Sequence, residues 1–81
     1  MPRFFFNLRS AGEMIVDSEG QTFRSIGLAK KEALQAARDL IADSIKAGRI
    51  VDRARVFEVS NASGEVVLTV PFADAIAEKA N

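Results

Sequence analysis

The sequence predicts an α+β fold, a two-layer ββαββ domain in which a four-stranded sheet carries one long amphipathic helix on one face. Three observations lead there. Period-two alternation of apolar and polar residues occurs twice near the start of the chain and twice after residue 54. A helix-period apolar stripe fills the stretch between. Turn residues sit between the alternating runs, at 10–12, 17–20 and 61–64.

Arg3 to Arg9 reads as the first strand. Phe4, Phe6 and Leu8 alternate with Arg3, Phe5, Asn7 and Arg9, and aromatic residues favour a half-buried pleated surface. Ser10-Ala11-Gly12 turns the chain, with Glu13 to Val16 as the return strand. Asp17-Ser18-Glu19-Gly20 is a second turn, and Gln21 to Arg24 is read as an extended lead into the helix.

Ser25 is the expected N-cap, its hydroxyl accepting a first-turn N–H. The helix is predicted over Ile26 to Ala47. Ile26, Ala29, Ala33, Ala37, Leu40, Ile41 and Ser44 share one stripe. Lys31, Glu32, Gln35, Arg38, Asp39, Asp43 and Lys46 lie mainly opposite. Gly48 is placed to end the helix, with Lys46 and Arg49 at the negative end of its dipole.

Ile50 to Arg53 is a connector. Arg55 to Ser60 reads as the third strand, Asn61 to Gly64 as a hairpin loop, and Glu65 to Val70 as the fourth strand. Pro71 closes it, since proline donates nothing to a ladder. Phe72 is expected on the core. A short helix or frayed tail is expected over 73–81. The valine-rich fourth strand and the aromatic first strand are expected in the middle, giving strand order 2-1-4-3. The predicted core face is Phe4, Phe6, Leu8, Phe57, Val59, Val66, Leu68 and Val70. The other face would carry Arg3, Phe5, Asn7, Arg9, Val56, Glu58, Glu65, Val67 and Thr69, with no second long helix to cover it.

These segments resemble a family of short, mostly alphaproteobacterial proteins catalogued only as a domain of unknown function. The resemblance rests on Pro2-Arg3-Phe4-Phe5-Phe6-Asn7-Leu8-Arg9, the Asp17-x-Glu19-Gly20 turn, Ala33 and Ala37-Arg38 in the helix, Phe57-Glu58-Val59, and Gly64-Glu65-Val66-Val67-Leu68-Thr69-Val70-Pro71-Phe72. It spans nearly the whole chain and implies the same fold in a cytoplasmic bacterial setting. No activity is implied, because none is established for that family. Members often carry His or Tyr where this chain has Asn7 or Phe5, so a chemical role at either position does not carry over.

Composition narrows the functional classes. Eighty-one residues make one domain, 1–81. With 48% hydrophobic residues and mean hydropathy +0.06, so short a chain leaves apolar surface exposed or covered by a partner. Eleven basic and eleven acidic side chains cancel, which disfavours non-specific binding to nucleic acid or a membrane surface. Cysteine and histidine are both absent. That removes thiolate chemistry, the commonest metal ligand and the usual general base. No apolar run is long enough for a membrane span, and the start of the chain lacks a signal-peptide pattern. The chain is therefore expected in the cytoplasm, without metal, cofactor or membrane partner.

No catalytic residue is expected. Ser25 precedes Lys30 by five positions, but an N-cap explains it better than a Ser–Lys pair. Asp17 and Glu19 share a turn with too few oxygens for a calcium loop. Asp39 and Asp43 are one helical turn apart on an exposed face. What remains is an interaction module. Its expected face is Phe5, Val56, Val67 and Thr69, joined to a second copy or another protein. The alternative is weak single-stranded nucleic-acid binding through Phe5, Arg3 and Arg9 with Arg49, Arg53 and Arg55. One exposed aromatic and a pI near 6.2 make that the lesser reading.

Overall fold

A computed structural model describes residues 1–76. Its elements are β1 (Arg3–Ser10), β2 (Glu13–Ile15), β3 (Gln21–Thr22), α1 (Ile26–Lys46), β4 (Val56–Ser60), β5 (Val66–Pro71) and α2 (Phe72–Ala75). The architecture is α+β, with a five-stranded antiparallel sheet and one long helix. The expected tail over 73–81 is only partly visible: a helical turn starts at Phe72, and 77–81 lie outside the described residues.

The fifth strand comes from a segment expected merely to be extended. β2 and β3 both pair with β1, in succession along the same edge. Leu8 faces Ile15 and Phe4 faces Gln21. Between these pairs β1 uses residues 5–7 and the opposing chain uses 16–20. The two surplus residues push the Asp17 turn out of the ladder. Gln21 and Thr22 are polar and few, so no local pattern marks them as a strand.

Strand order is also corrected. The sheet runs β2-β1-β4-β5, so the third predicted strand is central and the valine-rich fourth lies at the edge. Direction explains this. β3 and β4 are each antiparallel to β1, hence parallel to one another, and α1 crosses between them with β1 in the middle. Placing β5 beside β1 would have made a parallel pair. The observed order keeps every ladder antiparallel. It also puts Pro71 on an edge strand, where its missing N–H is tolerated.

The β4–β5 hairpin contains a bulge. Val59 faces Leu68, but Ser60 faces Val66. Val67 is the extra residue, and the two-residue alternation breaks there. Val66, expected inside, is 50% exposed. Val67, expected on the outer face, packs against the core.

The helix has the expected caps and the expected alanine stripe, but Ile26, read as part of that stripe, is 45% exposed on the first turn, and Ala47 is the C-cap. Ser25 Oγ accepts the Leu28 N–H at 3.2 Å. Arg49 N–H donates to Ser44 O at 2.8 Å after Gly48 reverses the chain at φ +74°. Ala29, Ala33 and Ala37 are fully buried, and their small side chains let α1 lie close to the sheet. Beneath it the rings of Phe23, Phe6, Phe57 and Phe72 run in series, with successive centroids 5.8, 6.4 and 5.3 Å apart. Phe4, Leu8, Val59 and Val70 complete the core. The thinnest dimension is 18 Å, one sheet and one helix layer.

Candidate interaction surface on the open sheet face

The helix covers one face of the sheet. Register places Arg9, Val56 and Pro71 in one row across the other face, Asn7, Glu58 and Thr69 in the next, and Phe5, Ser60 and Val66 in a third. Of the four residues expected there, Phe5, Val56 and Thr69 do share this face. Val67 does not, because of the bulge.

The polar side chains of this face bond to one another across strands. Arg9 Nε donates to Glu58 Oε2 at 2.7 Å. Asn7 Nδ2 donates to Ser60 Oγ at 3.2 Å, although Ser60 is 53 positions away. Asn7 Oδ1 in turn accepts the Asp17 N–H at 2.9 Å. No buried side-chain polar atom among the described residues lacks a partner. The hydrogen bond from Arg9 holds the Glu58 carboxyl below its ordinary value against slight burial, and the guanidinium charge adds to it.

Asp17 fills the gap between β2 and β3. Its Oδ2 accepts the Phe6 N–H at 3.0 Å, and its Oδ1 accepts the Glu19 and Gly20 N–H groups, each at 3.1 Å. Burial pushes the carboxyl up, but the backbone donors of Phe6, Gly20 and Glu19, with Arg3, outweigh it and hold the group below its usual range. Arg3 Nη1 also donates to Glu19 O at 2.7 Å. Gly20 lies against the Phe5 ring, leaving no room for a Cβ. The Asp17 turn was visible in the sequence. Its grip on β1 was not, since nothing local links residue 17 to residues 6 and 7.

The five arginines of the nucleic-acid reading do not form one surface. Arg3 and Arg9 lie at opposite ends of β1 and are bonded to Glu19 and Glu58. Arg55 donates to Ser10 Oγ at 3.2 Å and lies over the Phe72 ring, 5.9 Å from its centroid. Arg49 and Arg53 are exposed on the connector after α1.

A groove of about 340 Å³ lies between Phe23 and the α1 side chains Leu28, Lys31, Glu32, Gln35 and Arg38. It holds no nucleophile beside a base. Among the described residues, no group of three or more Asp or Glu side chains is placed to hold a metal ion, and no helix is long and apolar enough to cross a membrane.

No curated protein and no solved structure matches the chain. A family model does match, over residues 3–73, which takes in the sheet and α1. The chain therefore belongs to the family described as a domain of unknown function (DUF6894).

Proposed function

We propose that the chain is a non-enzymatic interaction module that forms a homodimer by stacking the open faces of two sheets. One observation carries the reading. Two pairs of polar side chains on that face are already joined to each other, Arg9 with Glu58 and Asn7 with Ser60. Each such pair lowers the desolvation cost of a second layer over this face, and the other N–H groups of the Arg9 guanidinium take their partners from that layer. Phe5, Val56 and Thr69 supply apolar and small contact area between the pairs, at the roughly 10 Å spacing of stacked sheets. Both margins of the sheet discourage the other route, strand addition. The Asp17 turn interrupts one, and the Val67 bulge with Pro71 distorts the other.

Single-stranded nucleic acid is the weaker alternative. Arg3, Arg9 and Arg55 are engaged within the chain, and Phe5 is the one aromatic ring on the face.

The test is the solution mass by light scattering across a concentration series, with refractive-index detection because Trp and Tyr are absent. A dimer is expected for the natural chain and a folded monomer for Thr69→Arg. Thr69 is exposed and faces Glu58, so the new cation is tolerated by the monomer and opposes stacking. A natural chain that stays monomeric, or a dimer unaffected by Thr69→Arg, overturns the reading.

A further inference from the structure

The connector between α1 and β4 is a second surface, distinct from the open sheet face. Ile50 is 92% exposed and Ile45, on the last turn of α1, is 63% exposed. Isolated surface isoleucines are ordinary. Lys46, Arg49 and Arg53 neighbour them in the sequence and are exposed as well. The ion pair found among the described residues is Arg9–Glu58, so among those residues none of these three cations is in an ion pair. Asp52 is the sole acid within 44–55, and its Oδ1 accepts the Ala54 N–H at 2.9 Å.

The connector is tied down at both ends. Arg49 N–H closes the helix terminus on Ser44 O. At the other end Phe72 N–H donates to Arg55 O at 2.9 Å, and the Arg55 side chain is held by Ser10 and the Phe72 ring. Ile50 is thus presented from an anchored segment, the arrangement of an apolar contact point with charged surroundings.

We infer that this tip docks an acidic protein segment, with Ile50 entering an apolar site on the partner while Lys46, Arg49 and Arg53 meet carboxylates around it. Charge complementarity selects the class of partner. Single-stranded nucleic acid would seek a stacking platform, which isoleucine does not supply. Phe5 is four residues along β1 from the Arg9 end, about 13 Å away. An anionic lipid surface would need a stronger double signal than three cations and one loop isoleucine.

The experiment uses the full chain and a fluorescent peptide alternating glutamate and leucine, followed by anisotropy at low and high salt. Binding is expected to weaken with salt. It should fall about tenfold or more in Ile50→Ser and in the Arg49→Glu, Arg53→Glu double variant. Thr69→Arg should leave it unchanged, so failure here is separate from failure of the sheet-face dimer. Three results would overturn the inference: no binding at low salt, equal binding by Ile50→Ser, or tighter binding of a mixed-sequence single-stranded oligonucleotide or of phosphatidylserine vesicles than of the peptide.

Discussion

Asp17 stands in for a strand at Phe6. Its carboxylate takes the Phe6 N–H at 3.0 Å along the stretch where neither β2 nor β3 reaches β1. A backbone donor inside a sheet needs an acceptor, and the side chain supplies it without extending the ladder.

Asp17→Asn tests this directly. The amide keeps one oxygen for Glu19 and Gly20 but turns an NH₂ group toward the Phe6 N–H. Hydrogen bonds to a charged acceptor contribute roughly 1.5–3 kcal/mol, so a loss of about 2 kcal/mol in urea unfolding is expected. The pH dependence should change too. Because folding lowers the Asp17 pKa, its contribution is fully present above the unfolded-state value near 3.9 and disappears as pH falls through the lower folded value. The natural chain should lose stability over that acid window. Asp17→Asn should show a flatter acid limb, with the slope that remains coming from Glu58, whose pKa folding also lowers. An unchanged acid limb would show that Asp17 does not titrate as described.

Gly20→Ala should be the costlier of two glycine substitutions. Gly20 has φ +70°, and an added Cβ would lie 2.8 Å from Phe4 O and 2.9 Å from the Phe5 ring. Backbone cannot move aside cheaply. Gly12 has φ +83° with nothing within 4 Å of the added atom. Gly12→Ala should therefore cost only the left-handed conformation, about 1–2 kcal/mol, and Gly20→Ala distinctly more. Equal midpoints in denaturant would contradict the close approach to Phe4.

Ala11→Asn should stabilise the fold. Ala11 and Gly12 form the two-residue link between β1 and β2, with φ values of +52° and +83°. Two positive values mark the turn that favours Asn-Gly. Asparagine tolerates this region better than alanine, so a gain of about 0.5–1 kcal/mol is expected. That corresponds to a Tm increase of several degrees for a domain of this size. A lower Tm would mean that the turn does not hold this geometry.

The sequence made the helix legible because its signals are local. Ser25, the alanines at 29, 33 and 37, and Gly48 each act within a few residues of themselves. Strand order was not legible. The valines of β5 report a liking for extended structure, whereas edge or centre depends on the direction in which α1 returns the chain. The face reading succeeded for Phe5, Val56 and Thr69, where alternation is unbroken. It failed at Val66 and Val67, where one surplus residue reverses the pattern. Within the candidate surface, the Asn7–Ser60 bond joins residues 53 positions apart and required the sheet to be seen.

The Val67 bulge has a consequence for how the chain behaves at high concentration. Val66-Val67-Leu68-Thr69-Val70 is uncharged and rich in β-branched residues, the composition of segments that stack into cross-β fibrils. It lies on a margin of the sheet, where a flat strand would template further copies. The misplaced residue and the proline after it act as gatekeepers. They spoil the continuous run of backbone donors that fibril growth requires, while Val67 and Val70 still pack inward.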